Sequence, residues 1–435
     1  MSGPARFVRH PSGAVSLIPE GDGFPARLSA YFDYVCSVSP YYRSLVEQSG
    51  IPAATDPTGL LGALPVTSKE TYRSVLMEEA LASANGVNLV TDFSSGSTAA
   101  PVMRVCRPAD DLCEQEVTVE VFRRAGMGPG DRFVCMDVGA AEIYDFYFRA
   151  ARNLGTTEVQ FLHLTTDWAV SVRPLRMLAP TILLTTPSLL VRTWDVLRRF
   201  WDRDDCPVKT LIMMGEATDP QVRETIRAAW GCRVVSFYGT TEIGGFAGEC
   251  RVGDGHHFRP DLVVPTVEAP RAFDGDNVEG EVCFTSMHIH TQSVIKYQVG
   301  DIVRISTAPC PCGETTPRLW FLERCQDAFI MAGDKFSHDM FLQAFRDVVP
   351  GLKMMALELV DLEGDDGKVR LRFTFPQQYQ KHEREFLGVL RDGIFELDSL
   401  YRYGLVDFEL RFRAVDDYTE RKLRRVVDSR RVSAS

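Results

Sequence analysis

From about residue 130 to residue 240 the chain alternates short apolar runs with amphipathic stretches, and this alternation narrows the possible folds more than any other feature. The runs are RFVCMDV from Arg132, EVQFLHL from Glu158, PTILLTT from Pro180, KTLIMM from Lys209 and RVVSFY from Arg233. Runs of that length, separated by helical periodicity, predict βα units around a mostly parallel sheet. One unit reads closely. After KTLIMM come Gly215 and Glu216, then Asp219 as a helix N-cap and Pro220 at the first helical position. Val222, Ile226 and Trp230 recur every fourth residue on one face, Gly231 stops the helix, and RVVSFY starts the next strand. That crossover puts Tyr238 to Glu242 just past the strand's carboxyl end, where open α/β sheets bind ligands.

The flanking regions read differently. Leu28, Phe32 and Val35 mark a first helix; Ser39 caps a second, which has Pro40 at its start and stops at Gly50. Beyond the segment ERCQD the pattern becomes a helix from Ser337, strands near Ala356 and Lys368, a long helix from Gln377 and a strand near Val406. The expected fold class is therefore α/β: a large N-terminal domain (1–326) with mostly parallel sheets and helices, and a small α+β C-terminal domain (327–435).

Charge and composition exclude several classes. With 48 basic against 59 acidic side chains the chain carries −11, which opposes a general nucleic-acid or anionic-membrane binder. No apolar stretch approaches the ~18 residues of a membrane span, and the start lacks the apolar core of a secretory signal. Eleven scattered cysteines, an odd count, point to a reducing, cytoplasmic address rather than a disulfide scaffold.

Three short motifs carry polar chemistry. The loop Ser94-Ser95-Gly96-Ser97-Thr98 offers hydroxyls and backbone N–H groups that can wrap a polyphosphate, although no Gly-Lys-Ser/Thr of a Walker loop follows. Phe237-Tyr238-Gly239-Thr240-Thr241-Glu242 combines an aromatic face for a purine, hydroxyls for phosphate and a carboxylate for Mg²⁺. Tyr297-Gln298-Val299-Gly300-Asp301 ends on a carboxylate suited to ribose hydroxyls. Taken singly, each is more simply a surface turn.

Together and in this order, the three resemble the adenylate-forming superfamily, more narrowly the phenylacetate–CoA ligase group. SPYYRSLVEQSGI, LPVTSKETYR, MGEATDPQVRETI and RKLRRVVDSRR extend the resemblance almost from end to end. It implies ATP-dependent conversion of a carboxylic acid, aromatic by preference, to an acyl adenylate, followed by transfer to coenzyme A or to a carrier-protein phosphopantetheine. An amide-forming ligase and a degenerate nucleotide-binding homologue are the alternatives, and a homodimer is the implied assembly. The resemblance assigns Ser94 to Thr98 to the triphosphate, Tyr238 to adenine, Thr241 to the α-phosphate, Glu242 to Mg²⁺, and Asp301 with Arg324 to ribose. Gly215, Glu216, Phe237, Gly239 and Thr240 complete the nucleotide site, Lys422 matches the mobile C-terminal lysine of the adenylation step, and the resemblance implies that the small α+β C-terminal domain is mobile. The implied acyl pocket lies between RFVCMDV, the AAEIYDFYF stretch and the Gly215-Glu216 loop, with Ala140, Tyr144, Ile243 and Gly244 as wall residues. The sequence departs from the family pattern at Ala99-Ala100-Pro101 (usually Gly-Lys-Pro), at Lys296 (usually Arg), at Gln326 (usually the hinge Asp) and at Arg421 (usually Gly).

A second constellation is Cys250, His257, Cys310 and Cys312, three thiols and an imidazole in turn-rich sequence. These make a sufficient set for a structural Zn²⁺, and His256 is an alternative ligand to His257. Some members of the ligase group share this arrangement. His288 and His290 flank Ile289 near a predicted strand end and are expected on one face.

Overall fold

The computed structural model describes residues 4–21, 23–49, 56–83, 89–93, 103–139, 144–165, 167–216, 218, 220–324, 328–332, 334–350, 352, 355–362, 368–413 and 426–428. All five predicted strands form, at Arg132–Asp137, Glu158–His163, Ile182–Thr185, Thr210–Met214 and Arg233–Thr240. They pair in parallel, in the spatial order Glu158–His163, Arg132–Asp137, Ile182–Thr185, Thr210–Met214, Arg233–Thr240. Every residue of Ile182–Thr185 is buried, as expected of a strand covered on both faces. Local caps set the helices between them. Thr186 accepts from the Leu189 N–H with Pro187 opening the helix Pro187–Leu197, and Pro220 opens Pro220–Trp230. The predicted N-terminal cap also forms, Ser39 Oγ accepting from the Tyr42 N–H at 3.2 Å. Asp219 and Gly50 lie outside the described residues.

The sheet does not stop at its parallel half. Beyond Arg233–Thr240 it continues antiparallel through Gly244–Glu249, His256–Phe258, Arg318–Arg324, Tyr297–Ser306, Asn277–Ser286, Val263–Val267, Val15–Pro19 and Ala5–Arg9. With the short Ala272–Phe273 strand this makes one 14-stranded sheet among the described residues. No apolar run in the sequence announces this antiparallel half. Its strands alternate or carry Gly and His, and their pairing depends on contacts far apart in the chain.

The C-terminal region forms its own four-stranded sheet, ordered Val406–Arg413, Val369–Pro376, Ala356–Asp361, Val426–Asp428, beside the hairpin of Ala328–Met331 and Asp334–Ser337. The long helix expected from Gln377 is broken. A 3₁₀ turn Gln377–His382 leads into Glu383–Gly388 and a wider turn Val389–Gly393, and after the extended Ile394 (φ −128°, ψ 105°) the helix Phe395–Arg402 begins. Gly388 and Gly393 weaken helical continuity, and the extended Ile394 is buried in the core. An apolar cluster runs from Met136, Leu190 and Trp230 on the parallel side to Phe341, Phe373 and Phe386 in the C-terminal region. At the seam, Tyr403 Oη lies 3.5 Å from His163 Nε2.

His288 and His290 do not share a face. The strand ends at Ser286, and the turn that follows buries His288 while leaving the His290 side chain half exposed. Burial pushes His288 down to about 4. The unfolded chain, with its imidazole near the ordinary value of about 6.5, therefore takes up the proton first. Stability from this residue is intact above pH 6.5 and is lost as pH falls towards 4, by at most about 1.4 kcal/mol per pH unit. Urea midpoints measured at pH 7.5, 6 and 5 should fall on the acid side, and His288→Gln should flatten that slope. Parallel slopes for the two proteins would contradict the assignment.

Candidate functional site

The five parallel strands all end on one rim. Arg132–Asp137 is where the order reverses, because the chain goes from it to one neighbour and then returns to the other side. Ligands of open α/β sheets bind at such a switch point. On that rim lie Asp137, His163, Thr185, the Gly215-Glu216 bend and the Tyr238–Glu242 segment.

The last of these is a tight reversal. Thr240 and Gly244 face each other across it, Gly239 faces Gly245, and a bulge follows before Ala247. A Cβ on Gly239 would come within 2.5 Å of Gly244 O and Gly245 Cα, and Gly244 sits at φ +85°. These two positions need glycine for the chain to turn back this closely. The turn presents Thr240 and Thr241 half-buried and Glu242 buried. Thr240 Oγ1 is shielded from solvent with no hydrogen-bond partner among the described residues, a hydroxyl that a ligand oxygen would satisfy.

Across from the turn runs Tyr297–Ser306. Tyr238 Oη donates to Asp301 Oδ2 at 2.8 Å, and Tyr297 Oη donates to Glu242 Oε1 at 2.6 Å. Tyr238 meets Phe246 edge-on, with ring centroids 5.6 Å apart. Burial, and then the Glu242 charge, raise the Tyr297 phenol well above its ordinary value, so it keeps the proton that it donates to Glu242. Arg324 stands opposite Asp301 in the strand register. The structure thus brings Tyr238, Gly239, Thr240, Thr241, Glu242 and Asp301 together. Phe237 faces inward, buried 6.4 Å from the Phe122 ring. Ser94 to Thr98, Ala140, Lys422 and the hinge residues Cys325 and Gln326 lie outside the described residues, as does the Arg324 side chain. Lys296, one of the departures from the family pattern, is fully buried, pairs with Glu268 Oε1 at 2.7 Å and donates to Leu64 O at 2.6 Å.

The expected acyl-pocket residues divide. Tyr144 is buried on the rim side, its ring 5.3 Å from Phe161 and 5.9 Å from Tyr147. Its hydroxyl donates to Asp137 Oδ2, while Asp137 Oδ1 accepts from Val138 N–H at 2.6 Å and Gly139 N–H at 2.9 Å. Burial raises the Asp137 carboxyl above the ordinary range despite these donors. Asp137 lies near the end of the apolar run RFVCMDV, and nothing local in the sequence marks it as a site residue. Ile243 is wholly buried in the core with Val117 and Phe246, and Gly244 backs onto Glu114.

At the far ends of the same two segments, Cys250, His257, Cys310 and Cys312 place their ligand atoms within 4.8 Å of one another. Cys250 Sγ and Cys310 Sγ are 3.9 Å apart, and Cys312 Sγ is 3.5 Å from His257 Nε2. A tetrahedral zinc with Zn–S ~2.3 Å and Zn–N ~2.05 Å has S–S and S–N edges of about 3.8 and 3.6 Å, so the set fits. His257 Nδ1 lies 3.1 Å from Thr316 O, the outer hydrogen bond that orients a ligating imidazole through its other nitrogen. His256, the alternative ligand, points the other way, to Ser236 Oγ at 2.8 Å and Leu319 O at 3.1 Å, because adjacent strand residues face opposite sides.

No family model matches the chain. A curated relative, the phenylacetate–coenzyme A ligase of Thermus thermophilus, is 24% identical over 396 residues, 86% of this chain and 84% of that one. Among solved structures, 2-hydroxyisobutyryl-CoA ligase in its thioester-forming state superposes with TM-score 0.76 at 19% identity, covering 94% of this chain and 90% of that one. The same ligase in its post-adenylation state gives 0.60, covering 93% and 89%. The amide bond synthetase of Marinactinospora thermotolerans gives 0.53 at 12% identity, covering 95% and 94%. The fold is that of the adenylate-forming ligases. Within it, the chain resembles the acyl-CoA ligases, and in sequence the phenylacetate–CoA ligases.

Gly239→Ala should destabilise the protein by about 1–3 kcal/mol, since neither facing backbone atom can move aside, and should weaken ATP binding. Gly128→Ala, where an added Cβ meets nothing within 4 Å, is the control. Equal urea midpoints and nucleotide affinities for the two variants would contradict the close-approach account.

Proposed function

We propose that the chain is an AMP-forming acid–thiol ligase. It activates a carboxylic acid with ATP and passes the acyl group to coenzyme A. The observation that supports this best is the meeting of Tyr238, Thr240, Glu242 and Asp301 at the sheet rim, with Thr240 Oγ1 buried and awaiting an acceptor or donor. A carboxylate is a poor electrophile because attack on it must expel an oxide. Its oxygen instead attacks the α-phosphorus, the bond to the β-phosphate oxygen breaks, and pyrophosphate leaves with the electron pair. A thiolate then attacks the acyl carbon and AMP leaves.

In this reading Tyr238 faces adenine, Asp301 and Arg324 take the ribose, Thr241 contacts the α-phosphate and Glu242 holds Mg²⁺. Ser94 to Thr98 wrap the β- and γ-phosphates, and Lys422 stabilises charge on the α-phosphoryl oxygens. The residues 327–435 form the mobile unit, which exchanges Lys422 for a thiol channel between half-reactions. The aromatic surface of Tyr144, Tyr147 and Phe161 beside Asp137 favours an aryl or arylacetic acid. Coenzyme A is favoured as acceptor by the likeness to the thioester-forming arrangement of a CoA ligase. A carrier-protein phosphopantetheine or an amine is the outcome to be distinguished. Zn²⁺ on Cys250, His257, Cys310 and Cys312 is structural, since four protein ligands leave no position open. A cytoplasmic address agrees with the described cysteines, which form no disulfide, and a homodimer is the proposed assembly. Among the described residues no helix is long and apolar enough to cross a membrane.

ATP–pyrophosphate exchange over aryl, arylacetic and aliphatic acids should respond most strongly to an aromatic acid. Lys422→Ala should lower that exchange at least ~100-fold while leaving thioester formation from a supplied acyl adenylate within about twofold. Equal loss of both half-reactions would contradict the role of Lys422, and silence across the panel would contradict the function. Metal analysis of protein purified without chelator should find about one zinc per chain. A folded, metal-free preparation with every thiol titratable would remove the zinc.

A further inference from the structure

The two segments that build the nucleotide site carry the same spacing. Tyr238 precedes Glu242 by four residues, and Tyr297 precedes Asp301 by four. Each tyrosine gives its hydroxyl to the carboxylate of the opposite segment, at 2.8 Å from Tyr238 to Asp301 and 2.6 Å from Tyr297 to Glu242. Glu242, Tyr297 and Asp301 are buried, with Asp301 and Tyr297 each 1% exposed. The two hydrogen bonds therefore exchange partners across the gap, fastening the turn to the facing strand twice.

Tyr297 is itself held from behind. Gln298 N–H donates to Thr67 O at 3.0 Å and Thr67 N–H to Lys296 O at 2.9 Å, while Lys296 adopts φ +51° with its ammonium locked on Glu268 and Leu64 O. The ring of Tyr72, wholly buried, packs 5.3 Å from that of Tyr297. Such a tyrosine cannot swing away to follow a mobile carboxylate, so the carboxylate must come to it.

We infer that Tyr297 is a positioning residue for Glu242. Its hydroxyl pins one carboxylate oxygen so that Glu242 presents a single geometry to a divalent cation, and the reciprocal Tyr238–Asp301 bond sets the purine face and the ribose-binding carboxylate in register with it. This rests on the reading of Glu242 as the Mg²⁺ residue and adds to it the group that orients it. Outer hydrogen bonds to metal-holding side chains are typically worth ~10–100-fold in metal affinity.

The test uses the full chain and Tyr297→Phe, which keeps the ring and removes the hydroxyl. Binding of ATP is followed by calorimetry across a Mg²⁺ titration, and ATP–pyrophosphate exchange across the same titration. The half-saturating Mg²⁺ should rise about tenfold or more. The KM for the acid, and thioester formation from a supplied acyl adenylate without added Mg²⁺, should stay within twofold of the parent. Tyr31→Phe removes an equally buried hydroxyl, one that donates to Ile289 O at 3.2 Å, and should leave the Mg²⁺ dependence unchanged. An unshifted Mg²⁺ midpoint in Tyr297→Phe overturns the inference. So does a loss shared equally by both half-reactions and by Tyr31→Phe, which marks the hydroxyl as merely structural. If the parent binds MgATP yet exchanges pyrophosphate with no acid, the ligase function fails while the calorimetric shift still decides the role of Tyr297.

Discussion

The whole site depends on a change of direction. At Thr240 to Gly244 the parallel half of the sheet turns back on itself and becomes the antiparallel half, in a space that admits no Cβ at Gly239. A wider loop could reverse the chain too, but it would not lodge Glu242 in the interior or set Tyr238 against the strand of Asp301. The close packing of backbone on backbone converts a strand end into a rigid shelf.

The shelf is fastened at both ends. Near the rim, two tyrosine–carboxylate hydrogen bonds tie the turn to Tyr297–Ser306. Further along, the strand leaving the turn runs into Cys250, and the strand leaving Asp301 runs into the turn of Cys310 and Cys312. With zinc at that point, the same two strands would be linked by charge and hydrogen bonding at one end and by metal–thiolate bonds at the other. Groups that must meet a triphosphate without rearranging gain from such a frame, because the orientation is set before the ligand arrives. The C-terminal region is held differently, by an apolar cluster and the Tyr403–His163 contact, a seam beside the rim and not part of the shelf.

The parallel half was legible because its inner strands, Ile182–Thr185 and Thr210–Met214 among them, are buried and read as unbroken apolar runs, and because Pro187 and Pro220 mark where the helices after them begin. The antiparallel half was not, since strands such as His256–Phe258 and Gly244–Glu249 have neither an apolar run nor a clean alternation. The motif residues Tyr238, Glu242 and Asp301 could be picked out by chemistry and order. Tyr297 stood in a quoted motif with no role, because its partner is 55 residues away and only the sheet brings them together. The repeated Tyr-x-x-x-acid spacing was present in the sequence, but nothing local says that the two copies exchange hydrogen bonds. The choice between His256 and His257 likewise needed the pleat, and the break before Ile394 needed the core that buries it.

The central claim is that these separated segments form one preassembled nucleotide site. A crystal structure with a non-hydrolysable acyl-adenylate analogue tests it most directly. The account predicts the adenine against Tyr238, the ribose hydroxyls on Asp301 and the phosphate analogue beside Thr241, with the Tyr297–Glu242 bond retained. An analogue bound elsewhere, or bound there only after the Thr240–Gly244 turn has unfolded, would contradict it.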